Sequence, residues 1–238
     1  MKTPTKSVSG PEPLRMAPGR RRILLVDDHT IVRQGLSRII NQESDLQICG
    51  ESAHAAGALA AAAELHPDLM IVDVSLEASN GIELIKSLRA RGDRVPVLVL
   101  SMHDEALYAE RALKAGAQGY IMKQEGAEVV IEAIRRILSG KNYLSERMSS
   151  EILQRMLEGS SSAKGGRWGV DKLSDRELEV YEWIGRGLAT GDIAQKLHLS
   201  VKTIETYRAH IKEKLGIHSG VALVHHAVRW VEAERPSA

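Results

Sequence analysis

Short apolar runs alternate with amphipathic stretches between residues 22 and 138. The apolar runs predict five β-strands, namely Ile23–Val26, Leu46–Cys49, Leu69–Val72, Val97–Leu100 and Gly119–Met122. The stretches that follow them predict five helices, namely Thr30–Asn41, Ala53–Leu65, Ile82–Arg91, Glu105–Ala115 and Ala127–Leu138. Because strands and helices alternate, the pattern indicates an α/β domain built on a parallel sheet. Gly116 follows the fourth helix as a candidate C-cap.

The last part of the chain shows helical periodicity only, and its first helix has clear start and stop signals. Ser174 and Glu177 have the spacing of a capping box in front of an apolar stripe. Gly187 predicts the end of that helix, and Thr190 is a candidate cap for the next one. This part is therefore predicted to form a small all-α domain.

Two of its helices are separated by a very short turn. Ser200 is predicted to cap a helix over Val201–Leu215, and a further helix covers about Val221–Val231. Because only Leu197–Ser200 separates the Ser200-capped helix from the preceding one, the pattern indicates a helix-turn-helix.

Composition divides the chain into four predicted segments. They are a disordered, Pro-rich and mildly basic arm over residues 1–20, an α/β domain over 21–141, a helical and Gly/Ser-rich linker over 142–168, and a helix-turn-helix domain over 169–234. The single cysteine, Cys49, excludes an internal disulfide. No apolar run is long enough to span a membrane, and the first twenty residues lack the apolar core of a signal peptide. We therefore expect a cytoplasmic protein with no membrane partner.

Charge is unevenly distributed along the chain. The formal net charge is only +1, but residues 196–217 contain five basic and two acidic residues, together with His198 and His210. A local basic patch in an otherwise neutral domain suggests double-stranded DNA as a partner.

Polar side chains follow four of the predicted strands. Asp27 and Asp28 come after the first, Asp73 after the third, Ser101 after the fourth and Lys123 after the fifth. The carboxyl ends of parallel strands meet at one rim of a sheet, so these groups are expected to converge.

That set of side chains suits a divalent metal and a transferable phosphoryl group. Mg²⁺ prefers carboxylate oxygens together with phosphate, so Asp27, Asp28 and Asp73 are its predicted ligands. An ionised Asp73 can attack the phosphorus of a donor to form an aspartyl phosphate. Lys123 can balance the charge of the transferred group, and Ser101 can donate a hydrogen bond to its oxygens.

These residues resemble the signature of bacterial response-regulator receiver domains over residues 22–140; it comprises Asp27–Asp28, Asp73, Gly81, Ser101, Gly116, Tyr120 and Lys123. The resemblance implies a flavodoxin-like, doubly wound fold with five parallel strands. It also implies that Asp73 accepts phosphate from a sensor histidine kinase, and that Ser101 and Tyr120 relay phosphorylation to the surface of the last helix and strands. The backbone carbonyl of Ser75 is a further predicted Mg²⁺ ligand. The alternative for Tyr120 is a core aromatic.

Two positions depart from the receiver pattern. Glu77 stands where many receivers have a proline four residues after the acceptor, and Gln124 stands where many have a proline after the lysine. Neither change removes a reactive group, so the predicted chemistry is unaffected.

The predicted helix Val201–Leu215 has one apolar and one polar face, and the polar face suits the DNA major groove. The pattern around it resembles the LuxR-type helix-turn-helix; it comprises Leu173–Ser174, Arg176–Glu177, Gly187, Ile193–Ala194, Leu199–Ser200, Lys202–Thr203–Ile204 and Lys214–Leu215. By that resemblance the DNA-contacting positions are Lys202, Glu205, Thr206 and Ala209. Arg208 projects nearer the core and is the weakest of the candidate DNA contacts. Some members have a basic residue where Ala209 stands, so one contact is missing here.

Together the two parts resemble a NarL/FixJ-type response regulator. We expect phosphorylation to favour a homodimer that matches two half-sites on DNA, with RNA polymerase as a further partner. We expect no enzyme activity beyond self-phosphorylation from a donor and slow autodephosphorylation. One alternative is a haloacid dehalogenase-type phosphatase, but Ser75 stands where its second aspartate is required. The other is an atypical receiver regulated independently of phosphorylation.

Overall fold

The computed structural model describes residues 19–103, 105–150 and 168–234. Most of the predicted arm over 1–20 and of the predicted linker over 142–168 lies outside these ranges. Of the predicted helical linker, residues 142–150 and 168 are described, and residues 146–150 are helical. The four-segment division of the chain therefore stays a prediction.

A five-stranded parallel sheet forms the centre of the first domain, as predicted. Its strands are β1 (Arg21–Val26), β2 (Leu46–Ser52), β3 (Leu69–Val72), β6 (Val97–Ser101) and β7 (Gly119–Met122). Their order across the sheet is β2-β1-β3-β6-β7, with every pair parallel. The order reverses direction between β1 and β3, which places the binding crevice of such a sheet at their carboxyl ends.

Five helices cover the two faces of the sheet, also as predicted. They are α1 (Thr30–Gln42), α2 (Ala55–Leu65), α3 (Gly81–Ala90), α4 (Glu105–Ala115) and α5 (Ala127–Leu138). Two cores result, one on each face of the sheet, and one of them continues into the second domain. Gly116 follows α4 with a φ of 105°, so the predicted C-cap is confirmed.

The sequence patterns missed a small antiparallel ribbon next to β3. Its strands are β4 (Ser75–Leu76) and β5 (Ser79–Asn80), and the turn between them places Ala78 at a φ of 55°. Strands of two residues are too short to show alternation, so periodicity could not reveal them.

Four helices form the second domain: α6 (Asp175–Gly185), α7 (Thr190–Lys196), α8 (Val201–Leu215) and α9 (Gly220–Glu234). The capping box of Ser174 and Glu177 and the Ser200 cap are confirmed. The predicted cap at Thr190 is wrong, because Thr190 is the first helical residue and Ala189 stands at the cap without a side-chain bond. Among the described helices, none has the length and apolar character required to cross a bilayer.

Helix α6 of the second domain lies at the interface between the two domains. On one side it packs against α8 and α9, where Tyr181 and Trp230 are fully buried with ring centroids 5.1 Å apart. On the other side Arg176 donates a hydrogen bond to the Leu76 carbonyl in the β4–β5 ribbon. The helix is therefore enclosed by both domains.

Gly81 allows the chain to turn from the ribbon into α3 directly beneath Asp73. A Cβ atom at this position would lie 1.9 Å from the Asp73 carbonyl oxygen. No side chain fits at that distance, so the backbone that carries Asp73 depends on glycine here.

We predict that Gly81→Ala destabilises the protein by about 2–3 kcal/mol, because backbone must move to accept the methyl group. Thermal or urea unfolding measures the change. Gly35→Ala is the control, since Gly35 is helical and a Cβ atom added there would have no neighbour within 4 Å, and it should stabilise by about 0.5–1 kcal/mol. Equal stability of the two variants would contradict the close contact at Gly81.

Candidate functional site

The predicted acidic and basic side chains converge at the carboxyl ends of the strands. Asp27 follows β1, Asp73 follows β3 and Lys123 follows β7. The Lys123 Nζ atom lies 2.6 Å from Asp27 Oδ2 and 2.6 Å from Asp73 Oδ2, and all three side chains are buried. A single ammonium group therefore bridges the two carboxylates.

Burial is the largest single influence on the pKa values of Asp73 and Lys123. Burial raises the pKa of Asp73, Lys123 lowers it again in part and Asp27 raises it, for a final value of about 7. Burial would lower the pKa of Lys123, but the carboxylates of Asp73 and Asp27 raise it above its ordinary value. Lys123 is thus a cation at neutral pH, while Asp73 is poised between its two forms.

The oxygen atoms at this rim fit a divalent cation. Ligand atoms of Asp27, Asp28, His29 and Asp73 all lie within 4.8 Å of one another. Asp28 Oδ1 is buried, and its one close polar neighbour among the described residues is the imidazole of His29. Carboxylate oxygens are the ligands that Mg²⁺ prefers, so the predicted acidic residues fit this ion.

His29 is a neighbour of the site that the sequence patterns missed. Its Nδ1 atom lies 2.7 Å from Asp28 Oδ1, and its backbone N–H donates to Asp27 Oδ1 at 2.8 Å. Imidazole is a poor ligand for Mg²⁺, so His29 fits a role in orienting the carboxylates. The sequence signal that could have identified His29 is its position directly after Asp28.

Ser101 and Tyr120 meet at His103 in the loop between β6 and α4. The Ser101 hydroxyl accepts a hydrogen bond from the His103 backbone N–H at 3.2 Å, and the Tyr120 hydroxyl donates to the His103 carbonyl at 2.9 Å. Both side chains are buried. Ser101 and Tyr120 therefore both contact this loop. Their predicted role in relaying phosphorylation to the surface of the last helix and strands stays a prediction.

Ser75 lies at the entrance to the site, two residues after Asp73. Its backbone N–H is 3.4 Å from Asp73 Oδ1, which is a weak contact. Its hydroxyl donates to Glu179 of helix α6 at 2.5 Å and lies 2.8 Å from the His103 Nε2 atom. The second domain therefore reaches the edge of the acidic site through this side chain.

The candidate DNA-reading side chains lie on the open face of helix α8. Lys202, Glu205, Thr206 and Ala209 are all exposed, while Ile204 is buried in the core. The Ser200 hydroxyl caps the helix by accepting the Thr203 N–H at 3.0 Å. The four side chains are therefore accessible on the polar face of α8, and their contact with DNA stays a prediction.

Arg208 differs from the other candidates. Its side chain is only 17% exposed, and its Nε atom lies 3.8 Å from Glu205 Oε2. It points toward the start of α9, near Gly220. In this arrangement Arg208 does not share the open face of α8. Its position agrees with the helical pattern, which places it nearer the core than the other candidate DNA contacts.

Comparison with known proteins identifies both domains. Residues 23–135 match the response regulator receiver domain family, and residues 171–227 match the bacterial regulatory proteins of the luxR family. The chain therefore belongs to the response regulators that combine a receiver domain with a LuxR-type DNA-binding domain. It is 31% identical over 210 residues to the oxygen regulatory protein NreC of Staphylococcus aureus, covering 87% of this chain and 97% of that protein.

Solved structures agree with this assignment. A LuxR-family two-component response regulator from Aurantimonas sp. SI85-9A1 is 33% identical with a TM-score of 0.54, covering 58% of this chain and 99% of that one. RcsB from Salmonella enterica serovar Typhimurium, solved bound to promoter P1flhDC, is 23% identical with a TM-score of 0.57, covering 88% and 99%. At that identity the likeness to RcsB shows the fold alone.

We predict that Asp73→Asn stabilises the metal-free protein more at pH 8 than at pH 5. The unfolded chain releases the Asp73 proton near pH 4, whereas the folded protein holds it to about pH 7. The ionised form is therefore disfavoured in the folded state, and the resulting loss of stability grows as pH rises between these values. The increase in the free energy of unfolding on Asp73→Asn should be about 2 kcal/mol larger at pH 8 than at pH 5.

Urea unfolding in the presence of a chelator at the two pH values measures this difference. Asp171→Asn is the control, because Asp171 is exposed and lies outside the site. If Asp73→Asn changes the free energy of unfolding equally at both pH values, burial does not raise the pKa of the Asp73 carboxyl.

Proposed function

We propose that Asp73 is the phospho-acceptor and that a sensor histidine kinase is its donor. The observation that carries this proposal is the contact of Lys123 Nζ with both Asp73 and Asp27 at 2.6 Å in a buried acidic site. A carboxylate held beside a fixed ammonium is placed to attack a phosphoryl group whose negative charge that ammonium then balances. The complete acidic, hydroxyl and lysine set favours regulation by phosphorylation over an atypical receiver.

In the proposed reaction, an Asp73 carboxylate oxygen forms a bond to the phosphorus of a phosphohistidine. The phosphorus–nitrogen bond breaks, and the imidazole of the kinase leaves with its electron pair and takes up a proton. Ser101 donates its hydroxyl hydrogen to a phosphoryl oxygen, and Lys123 balances the charge on another. Mg²⁺, held by Asp27, Asp28, Asp73 and the Ser75 carbonyl, supplies further charge neutralisation when bound.

The proposed output is transcriptional regulation in the cytoplasm. Phosphorylation shifts an existing equilibrium toward a homodimer, and a dimer doubles the DNA contacts by matching two half-sites. The exposed face of α8 carries the proposed contacts to double-stranded DNA, and RNA polymerase is a further proposed partner. The only chemistry proposed for the chain itself is self-phosphorylation from a donor and slow autodephosphorylation.

We predict that Asp73→Asn abolishes phosphorylation by acetyl phosphate, because an amide is a poor nucleophile. Asp28→Ala should slow phosphorylation strongly through loss of a Mg²⁺ ligand, whereas Asp171→Asn should react like the wild type. Intact-mass spectrometry follows the added phosphoryl group over time. Full modification of the Asp73→Asn variant would refute the assignment of the acceptor.

We predict separate roles for two exposed residues of α8. Lys202→Ala should weaken binding to all DNA sequences. If Lys202 contacts phosphate, the slope of the logarithm of the binding constant against the logarithm of the salt concentration should become shallower by about one unit. Thr206→Ala should change base preference by about 1–3 kcal/mol at one position. Selected-library binding at several salt concentrations measures both effects, with Lys114→Ala in the receiver domain as the control. If both α8 variants bind like this control, α8 does not read DNA.

A further inference from the structure

Arg33 is the fourth residue of helix α1, and its guanidinium group reaches back to the acidic rim. Side chains of a helix lean toward its amino-terminus, so a residue near the start of α1 can touch the strand that precedes the helix. The Arg33 side chain is only 16% exposed. Arginine side chains are mostly exposed, so this degree of enclosure indicates that specific partners hold the guanidinium.

Each nitrogen atom of the guanidinium has its own partner. Nη1 donates a hydrogen bond to the backbone carbonyl of Asp27 at 2.5 Å, and Nη2 donates to the Thr30 hydroxyl at 3.3 Å. Nε lies 3.4 Å from Oε2 of Glu51 on β2. The other oxygen of Glu51 accepts a hydrogen bond from the Ser37 hydroxyl at 2.6 Å, so this carboxylate is itself held in place. Arg33 thus ties the end of β1 to helix α1 and to strand β2.

The contact with the Asp27 carbonyl bears on the metal site. The peptide group of this carbonyl joins Asp27 to Asp28, the two adjacent residues that are proposed to hold Mg²⁺. Since β1 ends at Val26, the carbonyl lies beyond the strand, and the guanidinium supplies its hydrogen bond. Hydrogen bonds from a charged donor are about twice as strong as neutral ones. Arg33 thereby fixes the orientation of this peptide group.

The other polar groups of Asp27 are fixed as well. Its backbone N–H donates to the Ser52 carbonyl at 3.1 Å, and its Oδ1 accepts the His29 N–H at 2.8 Å. Its Oδ2 lies 2.6 Å from Lys123 Nζ. With the Arg33 contact, every polar group of Asp27 has a partner. Loss of that contact leaves the carbonyl as the one group without its partner, and the peptide is then free to rotate while the sheet stays intact.

We propose that Arg33 is a positioning residue for Mg²⁺, acting through the Asp27 carbonyl on the carboxylates of Asp27 and Asp28. This inference rests on the proposed function, since it needs the ion to bind at these carboxylates. Mg²⁺ demands near-ideal octahedral geometry, so its affinity is sensitive to small displacements of a ligand. Groups that orient metal ligands without touching the metal typically contribute about 10–100-fold to metal affinity.

The charge of Arg33 and its hydrogen bond have opposite effects on the metal. A cation near a metal site repels the metal ion, so a purely electrostatic role would make Mg²⁺ bind more tightly when Arg33 is removed. Glu51 lies 3.4 Å from the guanidinium and offsets part of that repulsion. A positioning role makes Mg²⁺ bind more weakly when the side chain is removed. The sign of the change in Mg²⁺ affinity therefore separates positioning from charge.

The test measures Mg²⁺ binding by the full chain without a phosphoryl donor. Arg33→Met keeps an unbranched apolar side chain and removes the donors. Urea unfolding across a series of Mg²⁺ concentrations at constant ionic strength gives the dissociation constant, because a ligand that binds only the folded state raises the free energy of unfolding. We expect Mg²⁺ to bind this variant about tenfold more weakly than the wild type. Arg38→Met removes the same charge from an exposed position on α1 and should leave the affinity unchanged.

A second readout uses phosphorylation by acetyl phosphate. The Mg²⁺ concentration that gives half the maximal rate should rise about tenfold in Arg33→Met, while the rate at saturating Mg²⁺ stays at the wild-type value. A merely structural role would lower the free energy of unfolding in the presence of a chelator and leave the Mg²⁺ dependence unchanged. If Arg33→Met does not fold, Arg33→Lys decides the question. Lysine retains the charge but lacks the planar fork that serves both the carbonyl and Glu51, so weaker Mg²⁺ binding is again expected.

Mg²⁺ affinity at or above that of the wild type in the tested variant overturns the positioning role and leaves the proposed function intact. A rate that stays low at saturating Mg²⁺ also overturns it, since the side chain would then act on the acceptor and not on the metal. If the variant binds Mg²⁺ more weakly but wild-type Asp73 is not modified by a donor, the proposed function fails and the positioning role stands. If Mg²⁺ does not raise the free energy of unfolding of the wild type, the metal part of the proposed function and the positioning role fail together.

Discussion

The arrangement of the receiver domain depends on one ammonium group between two buried carboxylates. Lys123 Nζ lies 2.6 Å from both Asp27 and Asp73, at the ends of strands that are not neighbours in the sequence. In the low dielectric of a buried site, the two carboxylates would repel each other strongly without it. The parallel sheet brings the three residues to one rim, and Gly81 permits the close backbone turn beneath Asp73. These features together hold the three side chains at one rim of the sheet.

Local patterns predicted much of this arrangement. The five parallel strands, the helices between them and the meeting of Asp27, Asp73 and Lys123 follow from periodicity and from a general property of parallel sheets. The β4–β5 ribbon did not follow, because strands of two residues carry no period. The cap predicted at Thr190 was wrong because a suitable residue type next to a helix start does not decide which of two adjacent positions is the cap.

Local sequence patterns could not predict the contacts between the domains. His103 and Glu182 are 79 residues apart in the chain, and Ser75 and Glu179 are 104 residues apart. The charged stripe of α6 was visible in the sequence, but a charged helix face is usually solvated. Only the fold shows that this stripe is enclosed by the receiver, which places carboxylates of the DNA-binding domain at the edge of the acidic site.

The central claim is that the state of Asp73 controls DNA binding by the second domain. The most direct measurement is the affinity of the full chain for a library-selected DNA site, at fixed salt, before and after treatment with a phosphoryl donor and Mg²⁺. The account predicts tighter binding after treatment of the wild type and no change for Asp73→Asn. Equal affinity of the treated and untreated wild type, with phosphorylation verified by mass, would contradict it.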